Sequence, residues 1–278
     1  MACRIGVVAT GSRGDPTVAD DVQALAERLF PGRAPEIVFH PNTALVSGHF
    51  AGDDAARAQA FLDIANDPGF DALWIARGGY GACRLIEKVL PELKPAARDK
   101  AYLGYSDAGS LLGALYGQGF EHLAHGPMVQ DIRRKGGEAA VARALSWLVD
   151  RSPEALEPSL AEDARPAVAF NLTILAHLVG TPWLPDLDGH VLMIEEVSEY
   201  MYRIDRDLFQ VTSSPALRRV AGLRLGRCSD ITPNDPDFGQ DEVEVAKAWC
   251  ARSGIAYLGR ADIGHDINNK VVPFGPRG

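Results

Sequence analysis

Ser106, Glu195 and His265 are three residues whose types, taken together, suit nucleophilic catalysis. A serine hydroxyl becomes a nucleophile when a base lies within hydrogen-bond reach and a third group orients that base. Histidine suits the role of base because its ordinary pKa lies near neutrality, and a carboxylate suits the third role. The chain order Ser, Glu, His permits a triad, but spacing alone does not establish contact.

Ser106 lies in Gly104-Tyr105-Ser106-Asp107, between a strand pattern and a helix pattern. A serine on such a turn is lifted above the sheet edge, and the next backbone N–H, at a helix start, can stabilise an oxyanion. The segment lacks the GxSxG spacing of the hydrolases. A serine before an acidic residue is also an ordinary helix N-cap, and local sequence alone favours that cap.

The glycine-rich segment RGGYG, residues 77–81, follows the apolar run ALWIA and precedes a helix pattern. Its three glycines allow a sharp turn and leave backbone N–H groups open to a phosphate or an oxyanion. The spacing matches neither GxGxxG nor GxxxxGK[ST], so nucleotide binding has little support. The alternative is a simple tight turn between strand and helix.

Glu195 and Glu196 close the apolar run VLMI, and His265 follows the run AYLG after a short loop. A carboxylate at the end of a buried strand is costly to bury without a partner, which suggests a role for one of the two. The alternative is that the strand has reached solvent. Any single histidine of the seven is more often an ordinary surface or core residue.

Apolar runs alternate with helical patterns in the first half, which predicts βαβ units around a parallel sheet. A Pro- and Glu-rich stretch at 151–166 is the best linker. We therefore predict an α/β fold with domains at 1–150 and 167–278, the second smaller. The predicted strands are residues 4–9, 36–40, 72–76, 101–105, 122–125, 191–194, 220–225 and 255–258, and the predicted helices are 19–29, 53–65, 82–90, 108–116, 171–179 and 242–252.

The 278 residues are 46% hydrophobic and 23% charged with a net charge of −9, as in a globular protein of about two domains. Without like-charged runs, neither nucleic acid nor an anionic membrane is an expected partner. The four cysteines have no zinc or disulfide spacing, and we expect no metal and no cofactor. The absence of a leader pattern and of a long apolar stretch predicts a cytoplasmic protein.

The chain resembles the LD-carboxypeptidase family, which includes murein tetrapeptide carboxypeptidase and the microcin C7 self-immunity peptidase. The resemblance spans most of the chain in ordered motifs and is most specific over residues 171–206. The matching segments are RIGVVATGS, ARGGYGACRLI, LGYSD, HGPM, NLTILAHLVGTPWLPDLDGHVLMIEEVSEYMYRIDR and GHDINN.

The resemblance implies that Ser106 is the nucleophile, Glu195 the orienting carboxylate and His265 the base. It implies an oxyanion hole from the backbone N–H groups of Gly79 and Asp107. It also implies a Rossmann-like N-terminal domain, of the flavodoxin or class I amidotransferase type, and a swivelling C-terminal α/β domain. The site would lie between the domains, without metal or cofactor, and many members are homodimers.

The implied reaction is release of terminal D-alanine from the murein tetrapeptide in cytoplasmic wall recycling. Arg77 and Arg203 are candidates for binding the substrate carboxylate, although either could equally form a structural ion pair; Gly78, Glu199 and Tyr202 are further pocket candidates. The chain departs from the family pattern at AFN, AGSLLGALY and GRADIGH, near the presumed cleft. Two alternatives stay open: an immunity-type peptidase acting on peptidyl- or aminoacyl-nucleotides, and a non-catalytic binder of a small peptide or sugar.

Overall fold

A six-stranded sheet forms the first half of the protein in a computed structural model that describes residues 3–276. Its order is β10-β5-β4-β3-β1-β2; β1 to β5 are parallel, and β10 is antiparallel to β5. The strands are β1 (Arg4–Val8), β2 (Glu36–Phe39), β3 (Ala72–Ile75), β4 (Ala101–Gly104), β5 (Leu123–His125) and β10 (Val272–Pro273). This parallel arrangement confirms the predicted α/β fold.

Helices connect these strands and cover both faces of the sheet. The carboxylate of Asp53 caps α2 by accepting a 2.8 Å hydrogen bond from Ala56 N, as its position before the helix predicts. The predicted helix at 82–90 is broken into a 3₁₀ turn, a short α-helix and a second 3₁₀ turn that begins before Pro91. The helices are α1 (Ala19–Leu29), α2 (Asp54–Ala65), α3 (Ile86–Val89), α4 (Gly109–Gly117) and α5 (Glu138–Asp150).

A second sheet, of four parallel strands in the order β6-β7-β8-β9, forms most of the remaining chain. The sequence pattern missed β6 because this strand runs directly into a helix capped by Asn171, with no turn signal between them. The elements are β6 (Ala167–Asn171), α6 (Leu172–Leu178), β7 (Val191–Val197), α7 (Met201–Ser213), β8 (Gly222–Ser229), α8 (Glu242–Ser253) and β9 (Tyr257–Arg260).

The two sheets are joined at a close helix contact and by the end of the chain. Gly113 of α4 leaves room for Phe170 and Leu178, because a Cβ at that position would lie 3.2 Å from both side chains. Strand β10 then returns to the first sheet, and Val272 pairs with His125. The division at 151–166 stays a prediction. Among residues 3–276, no helix is long and apolar enough to span a membrane.

Candidate active site

Ser106 occupies a strained turn directly after β4. Its φ is +60°, in the left-handed region that non-glycine residues seldom adopt and that costs of the order of 1–3 kcal/mol. Ser106 is the first residue of a 3₁₀ turn, Ser106–Ala108, and Tyr105 holds the N-cap position. Within residues 3–276 no side-chain cap bond is formed there, so the N-cap interpretation of Ser106 is wrong.

The turn is sharp because its neighbours are small. A Cβ on Gly104 would lie 2.9 Å from Ile75 and 3.0 Å from the Ala108 methyl group, so a larger residue could not make this close approach. The serine is partly exposed at the carboxyl end of β4. Ligand sites of parallel α/β sheets lie at this edge.

Glu195 and His265 form a hydrogen-bonded pair in which His265 Nδ1 contacts Glu195 Oε2. The Glu195 side chain is fully buried, and 9% of the His265 side chain is exposed. The other ring nitrogen, Nε2, has no hydrogen-bond partner within residues 3–276. The second carboxylate oxygen, Oε1, has no hydrogen-bond partner among the described residues.

The pKa of His265 lies above its ordinary value as the net result of two opposing effects. Burial on its own lowers the pKa of this imidazole, but the charge and hydrogen bond of Glu195 outweigh burial. Glu196 and Asp131 act in the same direction as Glu195. The site therefore stabilises an imidazolium, which a base must become when it accepts a proton.

Glu196 points to the other face of β7 and has a structural role. Its Oε1 accepts hydrogen bonds from Asn171 Nδ2 at 2.7 Å and Val197 N at 2.8 Å, and its Oε2 accepts one from Thr173 N at 2.9 Å. Both glutamates are buried inside the strand, which continues to Val197. The alternative that the strand reaches solvent at these glutamates is therefore wrong. Successive residues of a strand face opposite sides, which explains their different partners.

Ser106 and His265 line the same cavity, whose volume is about 390 Å³. The cavity lies where β3, β4 and β5 end, and the loop after β9 brings in His265. Its lining residues are Arg77, Gly78, Gly79, Tyr105, Ser106, Met128, Gln130, Asp131, Arg133, Arg134 and His265. The fold thus brings the serine and the histidine to one cleft.

The glycine-rich segment lies directly against the serine. A Cβ on Gly78 would lie 2.9 Å from Ser106 Oγ and 3.0 Å from Ser106 Cβ. Gly79 has a φ of +103°, and a Cβ there would lie 2.2 Å from Ser12 Oγ. Glycine is therefore required at both positions, by close approach at Gly78 and also by backbone conformation at Gly79.

Tyr105 and Asp131 support the histidine, and sequence reasoning did not find this role. The Tyr105 ring packs on His265 with ring centroids 4.8 Å apart, and its hydroxyl donates a 3.1 Å hydrogen bond to Asp131 Oδ1. The same oxygen accepts a 2.9 Å bond from Arg134 Nε. Burial raises the pKa of Asp131, although these donors and Met128 N oppose the effect. Only the position of Tyr105 beside Ser106 could have suggested this role.

Three arginines line the cavity, and only two of them have carboxylate partners. Arg133 pairs with Asp15 and Asp21, while Arg134 pairs with Asp131. The exposed guanidinium of Arg77 forms no ion pair with another described residue. It is therefore the cation of this cavity that is free to bind an anionic group.

The other predicted pocket residues lie elsewhere. Arg203 Nη1 contacts Glu199 at 3.2 Å, and Arg203 Nε contacts the Tyr202 hydroxyl at 3.2 Å, both at the start of α7. None of the three belongs to the cavity lining within residues 3–276. Their role in substrate binding stays a prediction.

Sequence comparison matches two family profiles and several relatives. The profile of the LD-carboxypeptidase N-terminal domain matches residues 5–126, and that of the LD-carboxypeptidase C-terminal domain matches residues 166–278. A protein of Synechocystis sp. that bears a carboxypeptidase name is 31% identical over 87% of this chain and 80% of its own length. Murein tetrapeptide carboxypeptidase of Pseudomonas aeruginosa is 25% identical over 82% of this chain and 78% of its own.

Comparison of folds finds the same architecture in solved structures. The microcin C7 self-immunity protein MccF, in complex with aspartyl sulfamoyl adenosine, superposes with a TM-score of 0.79. The match covers 99% of this chain and 92% of that one, at 16% sequence identity. At this identity the likeness shows the fold, and it agrees with the two-sheet architecture described above.

Proposed function

The chain belongs to the LD-carboxypeptidase family, and from that premise we propose that it releases terminal D-alanine from the murein tetrapeptide as a serine carboxypeptidase. One observation carries the proposal: a serine in a strained turn and a histidine bound to a buried glutamate line one cavity. Its named relative, the murein tetrapeptide carboxypeptidase, supports the choice of substrate.

In the proposed reaction His265 accepts the hydroxyl proton of Ser106 through Nε2 as the serine oxygen attacks the scissile carbonyl carbon. Glu195 holds the ring through Nδ1 and stabilises the imidazolium. The tetrahedral intermediate collapses to an acyl-enzyme, and His265 returns its proton to the leaving amine of D-alanine. A water molecule, deprotonated by the same histidine, then hydrolyses the ester and regenerates Ser106.

The oxyanion is assigned to backbone donors at Gly79 and Asp107. Gly79 lines the cavity next to the serine, and Asp107 follows the serine at the start of the 3₁₀ turn. Such N–H groups are fixed before the reaction, and each contributes of the order of 3 kcal/mol to transition-state stabilisation in other enzymes.

The free C-terminal carboxylate of the substrate is assigned to Arg77. A guanidinium matches a carboxylate with two parallel hydrogen bonds, and Arg77 has no competing ion pair among the described residues. Arg77→Ala should raise KM by roughly 10- to 100-fold, which corresponds to loss of one charge-assisted interaction. Arg77→Lys should recover part of that loss, because it restores charge but not the planar geometry.

A substrate without the carboxylate tests this assignment directly. The tetrapeptide ending in D-alaninamide should bind the wild type and Arg77→Ala equally weakly. If Arg77→Ala weakens the amide as much as the acid, the arginine contacts another part of the substrate.

Release of D-alanine from the free murein tetrapeptide tests the function itself, with an L-alanine-terminated peptide as control. Ser106→Ala should reduce D-specific release by about 10⁴-fold or more. Release that survives this substitution would remove Ser106 from its role. Tight binding without turnover by the wild type would favour the non-catalytic alternative.

The fold match to MccF supports testing one second function, cleavage of an aminoacyl-nucleotide conjugate. The same assay with an aminoacyl sulfamoyl adenosine compares the two reactions on one enzyme. A kcat/KM for the conjugate above that for the tetrapeptide would replace the murein assignment.

We also propose a cytoplasmic homodimer with a domain division at 151–166. The separate family profiles at 5–126 and 166–278 support the division, and the family resemblance supports the dimer. Light scattering should give twice the chain mass of 29.9 kDa. A mass equal to one chain would contradict the dimer.

A further inference from the structure

The carboxylate of Asp107 is buried beneath the glycine-rich segment, where it accepts two backbone hydrogen bonds. Gly81 N donates to Oδ1 at 3.3 Å, and Ala82 N donates to Oδ2 at 2.9 Å. Only 2% of the residue is exposed. The side chain next to the proposed nucleophile therefore holds the end of the segment whose Gly78 lies against that nucleophile.

Arg57 holds the Gly81–Ala82 peptide group from its carbonyl side. The guanidinium donates to the carbonyl oxygen of Gly81 at 2.9 Å and also contacts the carbonyl oxygen of Thr10. Arg57 is fully buried and pairs with Asp54. The Gly81–Ala82 peptide group thus lies between an anion at its N–H, which is that of Ala82, and a cation at its C=O, which is that of Gly81.

The space around this carboxylate is closely filled, so its position is specific. A Cβ on Gly11 would lie 2.8 Å from Asp107 Oδ2, and a Cβ on Gly81 would lie 2.7 Å from Arg57 Nη1. Gly81 has a φ of +133°, which leaves glycine as the residue that fits there without strain. A longer acidic side chain would not fit at position 107 without moving Gly11.

We infer that Asp107 is a positioning residue, whose charged side chain holds the glycine-rich segment so that Gly78 and Gly79 keep their places beside Ser106. The inference rests on the proposed function for its kinetic consequences, but the anchoring contact stands on geometry alone. A segment with three glycines in four positions has high conformational freedom unless contacts fix it. Fixing donors before the reaction is what makes them effective in the transition state.

The two hydrogen bonds from Gly81 and Ala82 to Asp107 form the anchor of the segment, and they need a charged carboxylate. The surroundings of the carboxylate make its charge sensitive to pH. Burial raises the pKa of Asp107 to about 6, although the hydrogen bonds from Ala82 and Gly81 lower it. The titratable and charged groups that face it are Arg57 and His49, and the thiol of Cys83 also lies within its field. Protonation would turn a two-bond acceptor into a group that competes as a donor.

The kinetic test is the pH dependence of kcat/KM in the wild type and in Asp107→Asn. His265 must lose a proton for activity, so the logarithm of kcat/KM should rise with a slope of 1 below the pKa of His265, and protonation of Asp107 should add a further loss of about tenfold centred near pH 6. In Asp107→Asn that further loss should be absent, and at pH 8 kcat should fall about tenfold while KM changes less than threefold. A variant that keeps the further loss near pH 6 and a kcat within twofold of the wild type would overturn the inference.

Glu157→Gln is the matched control, because Glu157 is also a buried carboxylate that accepts two backbone N–H bonds, from Ser159 at 2.9 Å and Asp262 at 3.0 Å. This variant should keep the further loss near pH 6. Gly11→Ala keeps the charge of Asp107, but its methyl group would crowd both the carboxylate and the carbonyl oxygens of Tyr80 and Gly78, and it should lower kcat by a similar factor. If Asp107→Asn does not fold, the amide NMR titration of the wild type decides the point.

An amide NMR titration separates this inference from the proposed function. The Gly81 and Ala82 N–H signals of the wild type should shift together in one transition near pH 6, also in a His49→Gln background. If the two signals show no common transition anywhere between pH 3 and pH 8, the anchor is refuted. A clear transition in a protein that releases no D-alanine would uphold the anchor and reject the proposed substrate.

Discussion

Replacement of Gly78 by alanine should damage catalysis while leaving the fold intact. The new methyl group would lie 2.9 Å from Ser106 Oγ and 3.0 Å from Ser106 Cβ, whereas ordinary contacts begin at 3.4 Å. Serine has a short side chain on a strained backbone, so it cannot relieve both contacts by rotation alone. The nucleophile must move by about half an ångström, or its hydroxyl must turn to another rotamer.

The two responses give a range for the loss of rate. Misplacement of reacting atoms by 1 Å costs roughly 100-fold, so a shift of half that size costs about tenfold. Rotation of Oγ away from His265 would remove general-base assistance, which contributes about 10²- to 10⁴-fold. We therefore expect kcat to fall between about 10- and 1000-fold, with KM within threefold of the wild type.

The assay is D-alanine release under steady-state conditions, together with urea unfolding of each variant. Gly117→Ala is the control, because a Cβ there would lie 3.7 Å or more from its neighbours and the residue is exposed at the end of α4. This variant should keep wild-type kcat and gain up to about 1 kcal/mol of stability. A folded Gly78→Ala protein with kcat within twofold of the wild type would refute the close-approach argument.

Three further predictions follow from the buried charges and the core. Glu195→Gln should lower kcat by about 10³- to 10⁴-fold without abolishing substrate binding, because the amide no longer stabilises a protonated His265. An unchanged kcat in the D-alanine assay would contradict this prediction. Because the pKa of His265 is raised in the folded protein, this residue stabilises the fold fully at pH values below the ordinary histidine pKa. The stabilisation should be lost as the pH rises through the raised pKa, and urea unfolding at pH 6 and pH 9 would detect that loss. The raised pKa of Asp107, about 6 against 3.8, likewise favours the fold at low pH. The difference in unfolding free energy between the wild type and Asp107→Asn should therefore change by up to about 3 kcal/mol in favour of the wild type as the pH falls from 8 to 4, and a difference that is the same at both pH values would refute this.

The sequence determined the fold class and much of the local chemistry. Apolar runs of strand length that alternate with helical patterns predict a parallel sheet, because local periodicity reflects which face of each element is buried. The turn at Ser106 and the cap at Asp53 are also local properties, set by backbone conformation over a few residues. Glycine at 78 and 79, in contrast, is also required by the close approach of Ser106 and Ser12, which lie far away in the chain. Ordered motifs along the chain pointed to the family, and the family profiles agree with it.

The local pattern left open which glutamate serves the histidine, and the family resemblance implied Glu195. Only the tertiary structure shows the contact of Glu195 with His265 and what surrounds the pair. Glu195 and Glu196 differ by one position, and the face of β7 that each occupies depends on how the strand packs in its sheet. The support of His265 by Tyr105 and Asp131, and the anchor from Asp107 to Gly81, join segments that no local pattern connects. These contacts form between residues far apart in the chain, so they exist only once the two sheets have packed together.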